Sequence, residues 1–169
     1  MIIDFKDKIP SIHKTCFIAE NSTIIGAVAL EESSSIWFGT VVRADVNSIY
    51  IGKGTNIQDN CTLHVSAVNH MTLGEYVTVG HNAILHGCKI GNKVLIGMGS
   101  IIMDNVEIGD NTIIGAGSLV SPGKIIPSGV LCVGSPARVI RQLKVNEIED
   151  LMLSAKHYAA IANIYKVSK

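Results

Sequence analysis

Residues 90–120 read IGNKVLIGMGSIIMDNVEIGDNTIIGAGSLV, and one beat runs through all of them. An aliphatic side chain returns every six positions, at Ile90, Ile96, Ile102, Ile108, Ile114 and Val120. Four places after these aliphatics stand small or branched residues such as Val94, Ser100, Thr112 and Ser118, and Gly often takes the second place. An amphipathic helix would need apolar spacings of three and four. A six-residue beat with frequent Gly and Asn instead describes short strands joined by tight corners, the pattern of a parallel β-helix. The large aliphatic and the small residue point inward, and the positions between them face out or form the corner.

The beat extends in both directions. Upstream it runs Ile18, Ile24, Leu30, Ile36, Val42, resumes after three extra residues at Ile51, Ile57, Leu63, and after four more at Leu73, Val79, Leu85; downstream it ends at Ile126. Eighteen hexads, three to a triangular coil, predict about six coils and a prism on the order of 30 Å long at roughly 4.8 Å per coil. The pattern resembles the left-handed parallel β-helix of hexapeptide-repeat proteins, and the left hand comes from that resemblance. The predicted class is all-β with a C-terminal α-helix. Residues 1–17 form a lead-in strand or cap, residues 18–133 the β-helix, and residues 134–169 a turn and a helix packed on the prism, all in one domain. Gly134 and Pro136 turn the chain off the prism. Asn146 with Glu149 three residues on gives a cap-like helix start, and Ile148, Leu151, Met152, Ala155, Ala159 and Ala162 follow at helical spacing. Trp37 and Phe38 stand where most hexads carry small or polar residues; they pack a subunit interface or the terminal helix, or line a substrate cleft.

Composition narrows the function classes. Lys+Arg and Asp+Glu are both 14, so neither a nucleic-acid footprint nor a basic membrane-binding face is expected. No run approaches the roughly 20 apolar residues of a membrane span. Cys16, Cys61, Cys88 and Cys132 are scattered without a CxxC, which predicts a reduced, cytoplasmic protein.

The stretch 57–87, IQDNCTLHVSAVNHMTLGEYVTVGHNAILHG, holds four of the six histidines and carries the four-residue interruption. Rotating the hexads around three faces puts those led by Val42, Leu63 and Leu85 on one face of successive coils. Arg43, His64 and His86 each follow the lead residue, so they form an outward vertical row at about 4.8 Å per step. The insertion between His64 and His86 is taken up by a loop at 66–70. Gln58 takes the second place of its hexad on a different face, and Asp59 and His81 both take the third place of theirs. His81 and His86 leave the prism in different directions around a corner. Zinc–nitrogen bonds of about 2.0–2.1 Å bring ligand nitrogens within roughly 3–4 Å of one another, which a single prism hardly achieves for all three. The row therefore predicts a metal held by His64 and His86 of one subunit and His81 of the next, in a closed three-fold ring. His13 and His157 read as solvated or interface residues, His70 as a loop histidine, and Cys61 as core packing. Arg43 and Asp45 suit an interface ion pair.

The segments VVRADV (41–46), NIQDNCTLH (56–64), TVGHNAILHGC (78–88), LIGMGSIIMD (95–104), IIGAGSLV (113–120) and GSPARVIR (134–141) resemble the γ-class carbonic anhydrase family over nearly the whole chain. The spacing of 16 residues from His64 to His81 and four from His81 to His86 is the specific part, because acyltransferases share the hexads. The resemblance implies a homotrimer that hydrates carbon dioxide reversibly to bicarbonate with metal-bound hydroxide at each interface. His64, His81 and His86 are the implied ligands of Zn2+, with Fe2+ or Co2+ also compatible. By the same resemblance Arg43 and Asp45 form an interfacial pair, Gln58 and Asp59 border the metal's water, and Tyr158 approaches from the terminal helix. Gln58 then orients the hydroxide, Arg43 steers or holds bicarbonate, and buffer, His70 or Tyr158 takes the proton away. Well-characterised active members carry an extended acidic loop with a proton-shuttling glutamate; here the loop SAVNH (66–70) has no carboxylate, which places the chain in the subgroup without it. The competing readings are a hexapeptide-repeat acyltransferase with a histidine base, and a trimeric scaffold that keeps metal only for assembly.

Overall fold

A computed structural model describes residues 1–167. The chain winds into a parallel β-solenoid of about seven turns followed by one helix, α1 (Val145–Val167). That is one turn more than the hexad count, because rungs beyond its two ends, at Ile12 and Cys132, extend the prism. Ser11–Ile12 pairs in parallel with Ala29–Leu30 at one end, and Val130–Gly134 pairs with Ile113–Ile114 at the other. Ile2–Ile3 adds a further rung against Ile24–Ile25.

One face stacks Phe17–Ile18, Ser35–Ile36, Asn56–Ile57, Thr78–Val79, Leu95–Ile96 and Ile113–Ile114. The other two faces belong to a single 12-stranded sheet, because Thr23–Leu30 and Val41–Ile51 run unbroken across the corner between them. Their register shifts between Gly26 and Val28, where Gly26 lies opposite Ala44 and Val28 opposite Ile49. The extra residues of the first interruption are thus pushed out of the ladder as a bulge at 45–48.

Inside, Ile24, Ile36, Ile57, Leu63, Leu85 and Ile96 are completely buried. Truncating such a side chain to Ala costs about 2–5 kcal/mol. The small positions are equally buried, and their hydroxyls bond carbonyls of the corners: Ser118 Oγ donates to Gly115 O at 2.6 Å and Thr55 Oγ1 to Gly74 O at 2.7 Å. A small hydroxyl therefore fills the space and closes the turn with one group. The corners themselves pass through left-handed backbone, at Gly99 (φ +68°) on one coil and Asn82 (φ +59°) on the coil before. Glycine in the second place has a different cause: a Cβ on Gly97 would stand 2.4 Å from the backbone nitrogen of Ala116 on the next coil.

The last strand, Ala137–Gln142, turns back antiparallel on Val130–Gly134 and closes the end of the sheet. From it the chain enters α1, which buries Leu151, Ala155 and Ala162. Trp37 packs on this helix, with ring centroids 5.6 Å from Tyr158 and 5.5 Å from Tyr165, and donates Nε1–H to Ser35 Oγ at 3.0 Å. Asn146 does not start the helix. It begins at Val145 with Lys144 at the cap, whose backbone N–H donates to the Glu147 carboxylate at 2.7 Å, the reach-back half of a capping box. Ser168 and Lys169, at the end of the segment read as helical, lie outside the described residues. Among the described residues no helix is long and apolar enough to cross a membrane.

Arg141 Nη1 and Nη2 each donate to the Glu147 carboxylate at 2.7 Å, tying the closing strand to the helix start. The Arg141 bonds and the Lys144 N–H pull the Glu147 carboxyl down from its ordinary 4.5 to about 2. A depressed folded-state pKa stabilises fully above 4.5, and that contribution fades as pH falls towards about 2. The urea midpoint of the wild type should exceed that of Glu147→Gln at pH 6, with the gap closing over that acid window.

Candidate metal centre

The parallel ladder places Val41–Arg43, Thr62–His64 and the strand Ile84–His86 in register, Arg43 beside His64 and His64 beside His86. The two imidazoles face each other, with His64 Nδ1 3.0 Å from His86 Nε2. Their far nitrogens are each held by a carboxylate. His64 Nε2 lies 3.1 Å from Asp45 Oδ1, and His86 Nδ1 lies 2.9 Å from Asp104 Oδ2. Asp45 comes from the bulge at 45–48, and its other oxygen pairs with Arg43 Nη1. Burial pushes the Asp45 carboxyl up, but hydrogen bonds from Arg43 and His64 outweigh it and leave it below the usual range.

His81 stands on the corner before this strand. Its Nδ1 lies 2.8 Å from Asp59 Oδ2, and Asp59 Oδ1 accepts the Phe38 N–H at 3.1 Å. An open cleft of about 470 Å³ extends from His81 along α1, lined by Gln58, Met98, Ile114, Ser154 and Tyr158 among others. Gln58 is 5% exposed and donates Nε2–H to Asn56 Oδ1 at 3.3 Å. Burial and the nearby Asp59 charge raise the Tyr158 phenol, against a hydrogen bond with Gln58 that lowers it.

The predicted residues therefore fall into two groups. Arg43, Asp45, His64 and His86 come together on one side, and Gln58, Asp59, His81 and Tyr158 on another. Among the described residues no three His, Cys, Asp or Glu groups gather in a way that could hold an ion within one chain. His70 lines a separate small cleft with Val68, Asn69 and Lys89, which neither His64 nor His86 borders. His13 bonds Thr15, and His157 lies edge-on to Tyr158. Asp104 was missed from sequence; it lies 18 residues after His86, one full coil along, and scanning carboxylates at that offset would have found it.

The donor set fits a divalent cation. Two imidazoles bring one nitrogen each to within 3.0 Å of the other, and two ligands of one zinc ion stand about 3.3 Å apart at bonds of about 2.0–2.1 Å. Each opposite nitrogen is fixed on a carboxylate, as ligating histidines generally are.

Comparison with known proteins gives the lineage. The chain is 46% identical over 166 residues to a carbonic anhydrase of Geobacillus kaustophilus, covering 98% of this chain and 91% of that one. It is 41% identical to "Gamma carbonic anhydrase 1, mitochondrial" of Arabidopsis thaliana over 94% of its own length. The chain belongs to the γ-class carbonic anhydrase family. It spans 60% of the Arabidopsis relative. The bacterial transferase hexapeptide (six repeats) family matches residues 87–122. Among solved structures, a hexapeptide transferase family protein from Anaplasma phagocytophilum superposes with a TM-score of 0.94 at 42% identity, covering 98% of each chain.

Cys61 lies under the His81 corner, fully inward, with its Sγ 3.2 Å from Gly80 O. Burial pushes its thiol up to about 12, which leaves almost no thiolate near neutral pH. Iodoacetamide at pH 7.5 should label Cys61 only after denaturation, as read by peptide mass.

Proposed function

We propose that this chain is a metal-dependent carbonic anhydrase whose centres form between the subunits of a homotrimer. Each centre takes His64 and His86 from one subunit and His81 from the next. The observation that carries the reading is the convergence of His64 Nδ1 and His86 Nε2, while the third histidine is held apart with its Nε2 free of the Asp59 contact. A second copy has a surface to dock on. Ile84 (42% exposed) and Ile101 (37% exposed) stand in register on the face that bears the histidine pair, with Leu119 on the next coil. A heterologous contact repeated three times closes the ring.

Zinc is the default ion, with Fe2+ or Co2+ also accepting imidazole ligands, and when bound it would supply a water whose pKa is lowered towards about 7. The chain's own groups do the rest. Gln58 commits its Nε2–H to Asn56, which leaves its carbonyl oxygen to orient a water beside His81. Tyr158 bonds Gln58 and, with its phenol raised by burial, keeps its proton near neutral pH, so it positions Gln58. Arg43 is half-exposed and tied to Asp45, so it presents positive charge where bicarbonate leaves. Carbon dioxide is apolar, and the apolar wall of the cleft at Ile114 and Met98 suits its approach. All four cysteines are free thiols, which suits a reducing compartment such as the cytoplasm.

The acyltransferase reading draws on the hexapeptide match. That match spans residues 87–122 and includes none of His64, His81 and His86, so it speaks for the repeat and not for the site.

Oxygen-isotope exchange between carbon dioxide and water should be fast for zinc-loaded wild type and at least about a hundredfold slower for His81→Ala, with zinc near one per subunit. Equal rates in the two proteins would sink the assignment. Loss of the trimer on chelation without any exchange activity would replace it with the scaffold reading.

A further inference from the structure

The three aspartates behind the histidines share one design. Each spends one oxygen on an imidazole and the other on a fixed donor. Asp45 Oδ2 takes the Arg43 guanidinium, and Asp59 Oδ1 takes the Phe38 N–H. Asp104 Oδ1 takes the side-chain amide of Asn69, at 3.3 Å. Asn69 belongs to the loop 66–70, the same short loop that lacks a carboxylate.

That loop is itself fastened. Asn47 Nδ2 donates to Ser66 O and Ala67 O at 3.2 Å each, and the Asn69 N–H donates to Ser66 Oγ at 3.0 Å. Gly87, next to His86, leaves the room for the contact: a Cβ there would stand 2.4 Å from Asp104 Oδ1 and 2.8 Å from Asn69 Cβ. The path from loop to imidazole is therefore continuous through Asn69, Asp104 and His86 Nδ1.

We propose that Asn69 is a positioning residue for the metal: through Asp104 it holds the His86 ring with Nε2 turned to the ion. The loop then anchors a ligand. The inference rests on the metal-centre reading above and extends it to residues outside the ligand set. Without Asn69, the Asp104 carboxylate is free to rotate, the ring loses its fixed orientation, and the ion is held less tightly. Partners of this kind are worth about 10–100-fold in metal affinity.

The test is zinc affinity of the full chain by chelator competition, for wild type, Asn69→Ala, Asp104→Asn, Asp104→Ala and the double variant Asn69→Ala/Asp104→Ala. His70→Ala serves as a control in the same loop. Asn69→Ala and Asp104→Ala should each weaken zinc binding about ten- to a hundredfold, Asp104→Asn less, and His70→Ala not at all. Because Asn69 acts through Asp104, the double variant should bind no more weakly than Asp104→Ala alone. A merely structural role for Asn69 would give additive losses in the double variant, and that result overturns the proposal. So does an Asn69→Ala affinity within about twofold of wild type. A wild type that binds no zinc removes the metal-centre reading and this inference with it, whereas tight wild-type binding with unaffected variants removes this inference alone.

Discussion

The hydrogen-bond ladder between successive coils is the constraint on which the rest depends. It holds neighbouring rungs about 4.8 Å apart and allows no slip, because shifting a strand by one residue would turn its buried face outward. Leu63 and Leu85 are both completely buried, so His64 and His86, one place on, must both stand outside and one above the other. Two imidazoles on that spacing, with centroids 5.0 Å apart and planes inclined by 55°, bring one nitrogen of each together. The 3.0 Å approach of Nδ1 and Nε2 is the side-chain consequence of a backbone rule.

Departures from the ladder supply what the ladder cannot. A regular hexad offers outward positions but no side chain reaching sideways along the face. The bulge at 45–48 breaks the pairing between Gly26 and Val28 and swings Asp45 onto His64. The loop at 66–70 leaves the coil after His64 and returns Asn69 beside Asp104, two coils further along. Both interruptions lie within reach of the same histidine pair, and the Asn47 amide bonds one to the other. The regular part of the repeat sets spacing, and the irregular parts set orientation.

What was legible in the sequence follows the same division. The hexads, the inward residues and the column of Arg43, His64 and His86 are periodic, so counting finds them. The divergence of His81 from that pair follows from its place on a corner. Asp104 escaped because its partner is 18 residues back, a contact made across coils by an irregular corner residue. Asn69 escaped for a further reason: nothing in an insertion's sequence says where its tip comes to rest. The helix start was misplaced by two residues, from Lys144 to Asn146, because the deciding partner, Arg141, sits on an antiparallel closing strand that the repeat does not announce. Even the number of turns depended on end rungs such as Ser11–Ile12, whose Ile12 lies six residues before Ile18 and packs partly buried against the core.

In the proposed trimer the site is divided between chains, yet each group of ligands is already ordered within one chain. Asp45 and Asp104 fix the rings of His64 and His86, and Asp59 fixes that of His81. Little ordering entropy is then left for assembly to supply, which favours binding at a preformed pair. In the proposed trimer the third ligand arrives with the neighbouring prism, so an ion held by all three histidines binds the assembled state and not the separate chains. Mass action then makes the ion a stabiliser of the trimer, and the trimer a condition for tight binding of the ion. Metal retention and assembly are in this design two readings of one free energy.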